Sequence, residues 1–160
     1  MNTVKSILLL TVAILLGACS TDAEKDRMEN TKTELILGTW KPIKFVAVHQ
    51  DGTANSVETY EGCGESNRWT FTKSGRFSKE EFKANANGSC KQDMESSTME
   101  IGSWALLEND QLSIFIAYTD GGTDLYRSEI TFLDHNTIRL SYEGDSPEID
   151  YFYGEYTRVE

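Results

Sequence analysis

Histidine, cysteine and basic residues are scarce in this sequence, and each shortage removes a class of chemistry. His49 and His135 are its only two histidines, so few side chains can act as a base near neutral pH. His135 stands beside Asn136 in an expected turn and His49 ends an expected strand, so both read as solvated or structural. No nucleophile elbow, phosphate-binding loop, His-Glu metal motif or Cys-His arrangement occurs. The expectation is a non-enzymatic protein with no catalytic residues, no cofactor and no resident metal. Lys and Arg number 15 against 26 Asp and Glu, a net charge of −11, which repels nucleic acid phosphates and anionic lipid head groups. Acid pairs such as Glu80-Glu81 read as a solvated face in so acidic a chain. Also missing is any sustained period-3.6 apolar stripe of helical length beyond the first residues.

Those first residues hold the longest apolar run, Ile7 to Leu16, preceded by Lys5 and followed by small residues. This is the layout of a secretory signal peptide. As a helix the run would span roughly 15 Å, about half of a hydrocarbon core of roughly 30 Å, so it is too short to anchor. The junction Leu16-Gly17-Ala18-Cys19 resembles the lipobox of bacterial lipoproteins. That resemblance implies cleavage after residue 18 and acylation of Cys19, with palmitate among the expected chains. Removing 18 of the 160 residues leaves 142, enough for one domain, and losing Lys5 takes the net charge to −12. Attachment to a membrane then falls to the lipid, since two or more acyl chains hold without basic residues. Ser20 after the acylated cysteine resembles the sorting pattern that forwards lipoproteins to the outer membrane, so the expected location is the cell envelope, on that membrane.

With Cys19 assigned to the lipid, Cys63 and Cys90 remain as an even pair in an exported, oxidising context, and are expected to form a disulfide. A metal site is the alternative, but two cysteines without nearby histidines do not complete a zinc shell. The loops Asp120-Gly121-Gly122-Thr123-Asp124 and Asp145 to Asp150 are acidic, yet lack the full pattern of a calcium loop and read as turn acidity.

Residues 1–18 are thus expected as the leader, 19–34 as an acylated terminus and polar tether, and 35–160 as the folded domain. The fourteen residues from Ser20 to Thr33 could reach about 45 to 50 Å if extended, and a short helical turn is expected near Glu34 to Leu37. Beyond it short apolar runs alternate with turn signals, predicting strands at about 40–49, 57–60, 68–72, 76–79, 98–107, 111–118, 124–133, 137–142 and 151–158. Asp51-Gly52, Ser74-Gly75, Asn109-Asp110, Gly121-Gly122, His135-Asn136 and Gly144-Asp145 separate them. Residues 82–98, rich in Ala, Asn, Gly and Ser, read as a long loop pinned by the disulfide. The run Leu112 to Ala117 is apolar on both faces, so something should cover its outer side. The fold class expected is all-β, a single antiparallel up-and-down meander closing into a small eight- to nine-stranded barrel, because closure removes exposed edges.

Gly38-Thr39-Trp40 opens the first strand, and Trp69-Thr70-Phe71 and Gly102-Ser103-Trp104 follow. With the leader in front and Arg158 near the end, the chain resembles the lipocalin-like lipoprotein domains of Bacteroidota over about residues 35–158. The resemblance implies that Gly38, Trp40 and Arg158 close one end of the barrel, with the indole stacked on the guanidinium. Trp69, Phe71, Trp104, Tyr142, Tyr151 and Tyr153 are the candidate ligand-binding residues, within an aromatic crowd that also holds Phe152 and Tyr156. The function expected is a membrane-anchored, surface or periplasmic binding module for a small apolar or amphipathic ligand. A different class fits the charge: a surface protein-protein interaction module or inhibitor whose acidic face meets a basic protein partner.

Overall fold

The computed structural model describes residues 31–93, 102–118 and 121–159. The chain divides into two units, residues 1–36 and 37–160. Of the first, residues 31–36 are described and are helical, slightly earlier than the expected turn. The leader, Cys19 and the tether up to residue 30 lie outside the described residues.

The second unit is all-β. Its strands are β1 (Gly38–His49), β2 (Ala54–Thr59), β3 (Arg68–Phe71), β4 (Arg76–Glu80), β5 (Phe82–Ala84), β6 (Cys90–Gln92), β7 (Gly102–Leu106), β8 (Gln111–Ala117), β9 (Thr123–Asp134), β10 (Thr137–Glu143) and β11 (Ile149–Arg158). All pairings are antiparallel between neighbours in the order β11-β10-β9-β8-β7-β4-β3-β1-β2, and β11 also pairs with β1, which closes the sheet into a barrel. β2 lies against Lys44 to Val48 of β1, and β3 against Gly38 to Trp40 on the same side. The two are halves of one wall position, interrupted by residues 60–67, where a 3₁₀ turn spans Gly62–Ser66. The wall therefore has eight positions, in agreement with the expected barrel.

Local chemistry explains the boundaries. β2 begins at Ala54 because the β1–β2 turn is tight: the Asp51 carboxylate accepts from the backbone N–H and hydroxyl of Thr53 at 2.9 and 2.7 Å, and Gly52 takes φ +82°. The long loop expected over 82–98 is instead partly a hairpin. β5 and β6 pair from Phe82↔Gln92 to Ala84↔Cys90. Its turn is held by Asn85, whose side-chain oxygen accepts from the N–H groups of Asn87 and Ser89. Residues 94–101 lie outside the described set, so of the strand expected at 98–107 only Gly102–Leu106 is seen.

Cys63 and Cys90 are bonded, with Cα atoms 5.3 Å apart, joining the interruption between β2 and β3 to β6. A loop of this length is worth about 3 to 4 kcal/mol in the chain-entropy account. The Asn67 side chain adds a hydrogen bond from the Phe82 N–H, 2.8 Å.

Alternation sorts the wall into faces. Trp40, Phe71, Phe77, Trp104, Leu112, Ile114, Ile130, Ile138 and Leu140 are buried and fill the end of the barrel where β1 starts and β11 finishes. The outer side of β8 is not covered as expected: Phe115 is 43% exposed and its cross-strand partner Leu125 53%.

At the filled end Trp40 is fully buried, and the Arg158 guanidinium carbon lies 4.3 Å from its ring centroid. Arg158 also donates to the carbonyls of Leu37 and His135, at 2.6 and 3.3 Å. Gly38 sits at φ +124°, and a Cβ there would lie 2.7 Å from the Arg158 Nη1 atom, so both backbone and space require glycine. Trp40→Ala should therefore cost about 3 to 5 kcal/mol of stability. Arg158→Ala should cost less, and the two should be coupled by about 0.5 to 2 kcal/mol in a double-mutant cycle on denaturant unfolding. Additive losses would contradict the pairing.

Candidate functional site

The opposite end of the barrel is built differently. Phe45, Phe152, Tyr142 and Trp69 point inward by alternation and register, yet are only half-buried. Tyr126 pairs with Ile114 on the inner face and is nevertheless 45% exposed, and the inner-face carboxylates Glu58 and Asp124 are exposed as well. Inward-facing side chains that solvent reaches define an open mouth.

Its walls are aromatic. Phe45 stacks on Phe152 with centroids 5.5 Å apart and lies 6.3 Å from Tyr142. Below, Trp69 touches Tyr156 at 4.8 Å and Phe77 at 5.5 Å, and Phe71 meets Phe77 at 5.2 Å and Trp104 at 5.6 Å. These contacts run from β11 through β3 and β4 to β7 and form a floor between the mouth and the filled end. The Trp104 indole N–H donates to the Thr72 carbonyl, 3.0 Å, which satisfies the one polar atom that side chain brings into the core.

Hydroxyl groups concentrate just above the floor. Tyr142 hydrogen-bonds to Tyr156 and to Ser128, and burial outweighs those bonds, so its phenol is pushed up to about 12. Burial likewise raises Tyr156 well above the ordinary tyrosine range, helped by the phenol of Tyr142. Tyr60 is raised by burial first and then by the carboxylate of Glu58, with which it also hydrogen-bonds. At the rim Tyr118 and Tyr126 both donate to one carboxylate oxygen of Asp124. His49, at the end of β1, meets the Asn55 side chain at 3.0 Å in an exposed rim position.

The six aromatic residues expected to bind ligand thus divide. Trp69 and Tyr142 line the mouth. Phe71 and Trp104 are 1% and 8% exposed and belong to the floor and the packing beneath it. Tyr151 and Tyr153 are corrected to the outer wall, because Phe152, Gly154 and Tyr156 take the inward positions of β11. The Arg139 guanidinium lies 4.2 Å over the Tyr153 ring and bridges to Glu155 at 2.7 Å, where Lys44 also binds at 3.0 Å. Burial pushes the Glu155 carboxyl up, but those two cations more than offset it and hold it below the usual range.

This outer wall also carries an open concavity of about 740 Å³, whose lining includes Arg127, Arg139, Glu129, Glu143 and Tyr151. Its mixed charges suit an apolar molecule poorly. Among the described residues no three His, Cys, Asp or Glu side chains converge as a metal site would require. Of the two acidic loops, Asp124 is engaged by tyrosines, and residues 119 and 120 lie outside the described set.

A closed antiparallel barrel, sealed by a Gly-X-Trp start and an arginine from its last strand, defines a lipocalin-type protein. The model of the lipocalin-like domain family matches residues 36–140, roughly two thirds of the chain, and the chain belongs to that family. The match ends within β10, so β11 and Arg158 follow it. Among solved structures, a lipocalin-like protein from Bacteroides uniformis is 18% identical, covering 78% of this chain and 99% of its own, with a TM-score of 0.48. A redesigned β-barrel, mFAP1, bound to DFHBI, is 15% identical over 79% of this chain and 97% of its own, with a TM-score of 0.36. No curated protein matches the sequence.

The raised phenols carry a stability consequence. For a group whose pKa is higher folded than unfolded, its contribution is complete below the unfolded value, near 10, and is lost as pH climbs through the folded value. Stability should fall between pH 10 and about 12 as unfolding releases the proton of Tyr142. Absorbance titration of the seven tyrosines should show a late-titrating set that loses one phenol in Tyr142→Phe and one in Tyr156→Phe. Seven phenols titrating together near 10 in folded protein would contradict the buried network.

Proposed function

We propose that this protein is a lipid-anchored, non-enzymatic carrier of the bacterial envelope, holding a small apolar or amphipathic molecule in the open half of its barrel. The observation that carries this reading is the set of aromatic side chains around Phe45, Phe152, Tyr142 and Tyr126 that face inward and are still reached by solvent. Inward-facing aromatic rings of Phe45, Phe152, Trp69 and Tyr142, with a few hydroxyls and carboxylates at fixed places, have the composition usual for a small-molecule site. The family supports the same conclusion at the level of fold, and the lipobox-like junction at Cys19 supports the anchor. The outer membrane is the location we assign, from Ser20.

Native mass spectrometry of protein isolated from its own host tests both halves. The mature protein should carry acyl mass at Cys19 and a small molecule that departs on unfolding, and Cys19→Ala should leave the membrane fraction yet still hold that molecule. A ligand-free barrel under mild conditions would overturn the carrier reading. Continued membrane association of Cys19→Ala without acyl mass would overturn the anchor.

A further inference from the structure

We infer that the ligand is a compact amphiphile that enters head first, presenting an uncharged or cationic hydrogen-bond donor to the interior, and that long-chain anions are excluded. This rests on the mouth being the binding site, and two observations shape it.

The first is depth. The floor formed by Tyr156, Trp69, Phe77, Phe71 and Trp104 is continuous, and the residues beneath it are buried with Trp40, Leu112, Ile138 and Leu140 at 0% exposure. An extended acyl chain could enter only by displacing close-packed rings, and such interiors do not yield room without loss of contacts. Only the mouth is available, so the occupant is short.

The second is the chemistry of the surface that such a molecule meets first. In an apolar carrier the deepest accessible surface would be hydrocarbon, with polar groups kept to the rim. Here a hydroxyl network of Tyr142, Tyr156 and Ser128 lies against the floor, in which Tyr142 is half-buried and the other two buried, and Tyr60 stands against Glu58. The inner-face carboxylates are Glu58 and Asp124. Lys79, whose register with Trp69 puts it on the same face, is held by Glu81 at 2.6 Å, and Arg158 lies below the floor stacked on Trp40. An anionic head would therefore face the carboxylates of Glu58 and Asp124, with the inner-face Lys79 already paired with Glu81, and burying such a charge is costly. A donor or ammonium head finds acceptors, and the faces of Phe45, Phe152 and Trp69 favour a cation nearby.

Calorimetric titration of the folded mature domain with four probes tests this. Phenethylamine, phenethyl alcohol and 3-phenylpropionate share a phenyl body and differ in the head, while palmitate adds length. The amine should bind about tenfold more tightly than the carboxylate, with the alcohol between them and palmitate silent. Glu58→Gln, with its fold checked by circular dichroism and thermal unfolding because Glu58 hydrogen-bonds Tyr60, should bring the amine down to the affinity of the alcohol. Stoichiometric binding of palmitate, or equal affinity for the carboxylate and the amine, would overturn the head-first class and leave the carrier reading intact. Failure of all four probes, with an empty barrel in host-derived protein, would remove the mouth as a binding site altogether.

Discussion

The stacking of Arg158 on Trp40 is the contact on which the rest of the structure depends, because it fastens three parts of the chain at one point. The guanidinium comes from the end of β11, the indole from the start of β1, and the accepting carbonyls from Leu37 and from His135 in the β9–β10 turn. β1 is shared by β11 on one side and by β3 and β2 on the other, so closure of the whole wall passes through it. Gly38 is the complementary requirement, since any side chain there would occupy the space of the arginine. Closing the wall at this end lets large side chains pack across the axis, and it confines any accessible volume to the other end.

That other end is stabilised by different means. The wall position shared by β2 and β3 breaks at residues 60–67, which gives up ladder hydrogen bonds. The Cys63–Cys90 bond and the Asn67 side chain fasten the break to the β5–β6 hairpin, and the tyrosine hydroxyls satisfy one another within the interior. The barrel is thus held by close packing at one end and by covalent and polar links at the other. An open mouth needs the second kind, because rings packed to full density would fill it.

Much of this was legible in the sequence where the signal is periodic or local. The alternation Ile138, Leu140, Tyr142 and the run Leu112, Ile114, Ile116 placed β10 and β8 to within a residue or two, and the turn residues marked nearly every hairpin. The Gly38, Trp40 and Arg158 contact was implied by the resemblance to lipocalin-like domains, and Arg158 stacks on Trp40 in the structure. The β5–β6 hairpin was not legible, because three-residue strands of mixed polarity carry no period and its Asn-rich turn looks like a loop. The face of β11 was not legible either. Tyr151, Phe152, Tyr153 and Tyr156 are all aromatic, so residue type does not reveal which of them point inward, and only the register with β1 and the buried Gly154 decides it. Phe45, Tyr60 and Glu58 were missed as mouth residues because their convergence depends on the interrupted strand.

One end of the barrel is sealed and the other open, and the three tryptophans sample that difference directly. Trp40 lies in the seal at 0% exposure, Trp104 in the floor at 8%, and Trp69 in the floor on its mouth side, half-buried. Acrylamide quenching of proteins retaining one tryptophan each, with Phe at the other two positions, measures access at each depth. Efficient quenching of Trp69, with Trp40 protected and blue-shifted and Trp104 close to Trp40, is the result this account predicts. Equal quenching at all three positions, or a Trp40 more accessible than Trp69, would contradict it.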